Sequence, residues 1–261
     1  MRIWAVANQK GGVGKTTTAV TLAGLLSQQG QRVLLVDMDP HGSMTSYMGY
    51  DPDGNGNSLY SLFHSGGGTV ASMVRETQFD TIQILTASTA LATLDKQLGT
   101  QDGKGLVMSR ALSLLSDDYD YVLLDCPPTL GVLMVNALAA CHFLIVPVQS
   151  EFLALKGLER MMRTISMMNH ARMVPIPYLI VPTLFDRRTR ASGQALDNMR
   201  ERYPQSLWKN IVPVDTQFRE ASRVGKPISF HSPRARGAIA YGELLEYLLR
   251  LDKPEFEALV G

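Results

Sequence analysis

Residues 6–20, VANQKGGVGKTTTAV, constrain the fold more tightly than any other stretch of the chain. An apolar run, RIWAVAN, leads into Gly11-Gly12-Val13-Gly14-Lys15-Thr16-Thr17, and a helical pattern from Lys15 to Gln29 follows. Glycines between a strand and a helix let the backbone wrap closely around phosphate oxygens. The N–H groups at the helix start then point at the anion, assisted by the helix dipole. It is this strand–loop–helix context that turns a glycine motif into evidence. Lys15 is placed to reach outer phosphates, and the Thr16 hydroxyl to ligate Mg²⁺. The stretch also carries a second lysine, Lys10, which a phosphate loop of this kind does not need.

The rest of the chain agrees with a sheet wrapped by helices. Short, continuously apolar runs recur: RVLLVDMD, IQILTA, YDYVLLDCP, CHFLIVPV and IPYLIVPTL. Unbroken rather than alternating hydrophobicity implies strands covered on both faces, hence a mostly parallel, doubly wound α/β sheet. Helical patterns lie between them over 15–29, 105–116, 153–168 and 188–203. Residues 51–68, rich in Gly, Asn, Ser and Asp, read as a surface excursion with one short helix. The Met-rich stretch 160–173 reads as a helix packed on the sheet. At 261 residues, with no repeat, the chain is expected to form a single P-loop domain over 1–261.

Two cysteines, Cys126 and Cys141, offer neither a disulfide framework nor metal spacing, and read as small buried hydrophobes of a cytoplasmic protein. The longest apolar run is of strand length, and the first strand pattern starts at Arg2, leaving no space for a signal peptide. The net charge is only +1, yet it is segregated. Between Arg187 and Arg236 eleven Lys/Arg face four acids, a net of +7, and the remainder of the chain is −6. One face is therefore expected to meet an anionic partner.

Two more strand ends carry carboxylates. VLLVDMDP sets Asp37 and Asp39 at the carboxyl end of a strand, where open α/β sheets bind ligands, and YVLLDCPP does the same for Asp125. Carboxylates there can hold Mg²⁺, directly or through water, or orient an attacking water. Asp39 and Asp125 join Thr16 as candidate metal ligands.

With these residues the resemblance becomes specific. The pattern Lys10-Gly11-Gly12-Val13-Gly14-Lys15-Thr16-Thr17 resembles the deviant Walker A loop of the ParA/MinD family of ATPases. DMDPHGSMT resembles that family's second motif and LLDCPPTLG its Walker B segment. VPTLFDRRT, IVPVDTQFREASRVGKPI and SPRARGAIAYGELLEYLL are similar to the C-terminal half of small ParA-type proteins, so the likeness runs from Ile3 to about Leu249. The resemblance implies a slow, Mg²⁺-dependent ATPase that dimerises on ATP. It implies that Lys10 crosses the dimer interface to the partner's phosphates, that Lys15 binds phosphate, and that Asp39 acts in hydrolysis. Pro213 joins the nucleotide-contacting set. Lys10 is read as a residue that gains a charge partner only when a second subunit brings one. One departure stands out: the family usually reads Asp-Pro-Gln-Gly-Asn where this chain has Asp39-Pro40-His41-Gly42-Ser43. His41 is read as a local variation.

The resemblance also orders the partners. The terminal ELLEYLLRLDKPEFEALVG has more acids than bases and lacks the basic face of a membrane-targeting helix. Small ParA-type dimers bind DNA without sequence preference, and Arg188 aligns with an arginine of that surface. The other usual arginine is replaced by Gln217, with Arg219 and Arg223 read as substitutes and Arg190 added to the patch. MRIWAVANQKGGVGKTTT and DMDPHGSMTSYMGYDP resemble the ParC-type subgroup, which implies a polar chemotaxis array as cargo and an adaptor protein as partner. A chromosome or plasmid partition ATPase is the alternative, and a P-loop enzyme acting on a small metabolite is a third reading.

Overall fold

The computed structural model describes residues 1–54, 58–65, 70–94 and 104–251. Its strands are β1 (Arg2–Val6), β2 (Val33–Asp37), β3 (Val74–Glu76), β4 (Ile82–Leu85), β5 (Tyr121–Asp125), β6 (Phe143–Gln149) and β7 (Tyr178–Thr183). Its α-helices are α1 (Lys15–Gln28), α2 (Ser43–Tyr47), α3 (Leu59–Ser65), α4 (Val107–Ser113), α5 (Val132–Ala140), α6 (Phe152–His170), α7 (Arg190–Arg202), α8 (Gln217–Arg223), α9 (Ile228–His231) and α10 (Arg236–Leu251). The strands form one sheet in the order β3-β4-β2-β5-β1-β6-β7. Every pairing is parallel except β3 with β4. The doubly wound α/β class read from the sequence is thus observed.

Side chains along a strand alternate between faces, and here each face has its own core. Ala5, Leu34, Val36, Val122, Leu124 and Leu144 belong to one cluster. Trp4, Val6, Leu35, Leu123 and Ile145 belong to the other. Helices cover both sides, which is why the strands read as unbroken apolar runs. On the second face, Leu22 and Leu26 of α1 are wholly buried, each contributing about 1.5–3 kcal/mol over an exposed position. α1 also packs against α10, where the Thr18 and Tyr241 hydroxyls lie 2.7 Å apart.

Several expectations are refined. The excursion after Asp51 does contain a short helix, α3, but Leu59 and Phe63 are fully buried, so it helps close the core. The Met-rich stretch is helical up to His170 and splits its methionines, with Met161 buried and Met167 and Met173 exposed. Both cysteines are buried. No helix of the described residues is long and apolar enough to cross a membrane. Residues 252–261, part of the terminus read as lacking a basic face, lie outside the described residues.

The register gathers the functional strand ends. Asp37 of β2 stands opposite Asp125 of β5, and Asp125 opposite Val6 of β1, the residue that leads into the glycine loop. β6 pairs with β1 on the other side and ends at Gln149. The carboxyl ends of four strands therefore meet at one edge of the sheet, where open α/β sheets bind ligands.

Candidate nucleotide site

The glycine loop is anchored at both legs. On the way in, the Asn8 amide donates to the Pro147 carbonyl at 2.8 Å and the Gln9 amide to Thr164 Oγ1 of α6 at 2.6 Å. Farther along the loop, Thr183 Oγ1 of β7 donates to the Val13 carbonyl at 2.8 Å. Gly12 and Gly14 sit at φ 74° and 90°, left-handed values that disfavour any side chain. A Cβ added at Gly11, Gly12 or Gly14 would meet nothing within 4 Å, so the loop fronts an open cradle. Thr16 and Thr17 follow in the first turn of α1, whose unpaired N–H groups suit phosphate. Lys15 is 7% exposed and spans the loop, donating from Nζ to the Lys10 carbonyl at 3.2 Å.

The three carboxylates take separate parts. Asp37 is spent on architecture. Its Oδ2 accepts from the Thr45 N–H and hydroxyl, each at 2.7 Å, and its Oδ1 from the Asp39 N–H at 3.2 Å. Burial pushes its pKa up against those bonds. Asp125 accepts from Thr16 Oγ1 at 2.5 Å through Oδ2, while its buried Oδ1 has no hydrogen-bond partner among the described residues. Burial pushes the Asp125 carboxyl well above its ordinary range. Asp37 adds to this, and Thr16 and Lys15 oppose it. An orphaned buried carboxylate oxygen beside a threonine hydroxyl matches the hard oxygen donors of Mg²⁺. Thr16 and Asp125 are thus brought together as a fitting pair. Asp39, also proposed as a metal ligand, makes its side-chain bonds with His41 instead.

Lys10 requires a correction. In the single chain it already has a charge partner: its ammonium pairs with Glu151 and lies 3.4 Å from Gln149 Oε1. The end of β6 delivers both residues to the loop, a contact spanning 141 positions in sequence. The lysine stays at the rim, its side chain 26% exposed and that of Glu151 39% exposed. The base of its side chain packs against α6, where a Cβ on Gly157 would fall 3.0 Å from Lys10 Cβ and 3.2 Å from Asn8 Oδ1. Gly157→Ala is therefore expected to gain helix propensity of about 1 kcal/mol and to shift Lys10. Sedimentation should show an ATP-dimer weakened severalfold, with the nucleotide affinity of the monomer little changed.

The basic half is partly paired. Arg188 grips Asp186 with two bonds of 2.9 and 2.7 Å, holding that carboxyl down to about 2. Arg223 bonds Glu220 on α8 at 3.2 Å. Arg190 and Arg219 are exposed, on α7 and α8. A cleft of about 1070 Å³ is lined by Arg188, Arg200, Lys209, Pro213 and Arg236, among others, but not by Arg190, Arg219 or Arg223. Arg200, Lys209 and Arg236 were visible only as members of the basic window, because chain spacing gives no hint that they share a cleft. Pro213 bridges to Phe185, just beyond β7.

Comparison with known proteins gives consistent matches. A family model described as an AAA domain matches residues 1–174. The sporulation initiation inhibitor protein Soj of Bacillus subtilis is 34% identical over 244 residues, covering 93% of this chain and 96% of that protein. The chromosome partitioning protein ParA of Myxococcus xanthus is 33% identical over 255 residues, 97% of this chain and 90% of that one. Among solved structures, cobyrinic acid a,c-diamide synthase from Mycobacterium smegmatis, with bound ATP analog and magnesium, is 36% identical. It has a TM-score of 0.85 and covers 98% of this chain and 97% of its own.

Proposed function

The chain belongs to the ParA/MinD family of ATPases, and from that premise we propose that it is an ATP-dependent dimerisation switch that positions intracellular cargo. The observation that carries this reading is the division between the two lysines. Lys15 is buried behind the glycine cradle, whereas Lys10 stands at the rim on a partner it can exchange. The cofactors are ATP and Mg²⁺. Bound Mg²⁺ supplies charge neutralisation on the phosphates, and Thr16 and Asp125 would hold it. The glycine N–H groups and Lys15 bind and orient the phosphates. Asp39 orients a water, and hydrolysis is slow. Lys10 leaves Glu151 for the phosphates of a second copy, closing a homodimer.

The cargo we propose is a polar chemotaxis array, reached through an adaptor protein. Supporting this are the opening residues and the Asp37–Pro52 segment, which resemble the ParC-type subgroup. A fluorescent fusion should then gather at a cell pole together with the array, and Lys15→Ala should disperse both. A fusion spread over the nucleoid, with arrays placed normally in its absence, would count against that cargo.

A second reading, chromosome or plasmid partition, is favoured by the relatives named for chromosome partitioning and by the exposed arginines. On this reading the ATP-bound dimer binds DNA through Arg188, Arg190, Arg219 and Arg223, without sequence preference. Affinity should fall steeply with salt, and each arginine removed should flatten the log–log slope by roughly 0.9. A tethered-DNA assay at low salt, using dimer trapped by Asp39→Ala, measures this. No retention would take DNA off the partner list. The third reading, an enzyme acting on a small metabolite, takes its support from the diamide synthase likeness. It gives Lys10 no task at the rim.

A further inference from the structure

His41, the departure from the usual family pattern, contacts Asp39 directly. Its backbone N–H and its ring Nδ1 both meet Asp39 Oδ1, at 3.1 and 2.8 Å. In the tautomer with its proton on Nδ1, the ring donates to that oxygen alongside the backbone N–H. Asp39 Oδ2 receives no bond among the described residues. The turn that presents the ring is fixed. The Gly42 N–H donates to the Asp39 carbonyl at 2.9 Å, and Pro40 occupies the second position of the turn. Gly42 itself is left-handed, at φ 62°, and a Cβ there would collide with Pro52. Beneath it, Asp37 holds the Asp39 N–H.

A terminal carboxylate otherwise turns freely, because its last torsion is broad and nearly twofold. Two donors on one oxygen remove that freedom and leave the other oxygen open. The ring is no part of the core: the His41 side chain is 80% exposed, against 15% for Asp39. We infer that His41 is a positioning residue for ATP hydrolysis, which pins Asp39 through Oδ1 so that Oδ2 alone is presented to the attacking water. This inference rests on the proposed role of Asp39 in the water step.

The test compares wild type with Asp39→Ala, His41→Ala and His41→Asn for steady-state hydrolysis, nucleotide binding and thermal melting. Asparagine keeps a donor close to the place of Nδ1, and alanine does not. His41→Ala should lower kcat about tenfold, a loss on the scale of small misplacements in an active site, with KM within about twofold. Its melting temperature should not move, since the ring is exposed, and His41→Asn should recover most of the rate. A His41→Ala protein hydrolysing at or above the wild-type rate overturns the inference, as does an asparagine variant no better than alanine. Asp39→Ala judges the underlying reading separately. Wild-type hydrolysis in that variant overturns the role of Asp39, and the positioning role falls with it.

Discussion

Lys15→Ala is expected to abolish nucleotide binding. In the wild type Lys15 is 7% exposed, and among the described residues its ammonium bonds a backbone carbonyl across the loop, that of Lys10. It is held ready for an anion in a cradle that the glycines leave open. Charge-assisted hydrogen bonds contribute roughly 1.5–3 kcal/mol each. Losing two from one ammonium is about 3 kcal/mol or more, or upwards of about 100-fold in Kd. Titration of a fluorescent ATP analogue measures it directly. A change under about tenfold would mean that the backbone cradle alone carries the affinity.

Lys10→Ala is expected to separate the two lysines. Nucleotide affinity of the single chain should change less than about threefold, because Lys10 turns to Glu151 and leaves its own cradle to Lys15. The dimer should suffer far more. A half-exposed ion pair of the Lys10–Glu151 kind contributes about 0–1 kcal/mol, and a contact with phosphate about 1.5–3 kcal/mol. The exchange is favourable at each site, and twofold symmetry provides two sites per dimer. Removing both should weaken the ATP-dimer about tenfold or more. Loss of nucleotide binding as severe as in Lys15→Ala would place Lys10 in its own cradle and end the cross-subunit role.

The parts of this arrangement that could be read from the sequence are those with a local cause. β1, β2 and β4–β7 showed as apolar runs because both their faces are covered. β3, Val74–Glu76, did not: it is three residues long, mostly polar, and antiparallel at the sheet edge. α5 escaped as well, since VLMVNALAA is apolar all round and has no polar face to set a period. In the site, the glycines, Lys15, Thr16 and Asp125 were legible because a phosphate loop and a strand end each declare their chemistry over a few residues. The pairing of Lys10 with Glu151 was not, because only the sheet order brings β6 beside the loop. His41 was visible as an odd residue, but its bond to Asp39 depends on a turn closed by Gly42.

Sedimentation of the Asp39→Ala protein with Mg²⁺ and either ATP or ADP tests the switch most directly. Removing the carboxylate proposed to orient water should leave binding through Lys15 and bridging through Lys10 untouched, while the bound ATP persists. The expected result is a dimer with ATP and a monomer with ADP or without nucleotide. A protein that binds ATP and still sediments as a monomer would contradict the dimerisation switch.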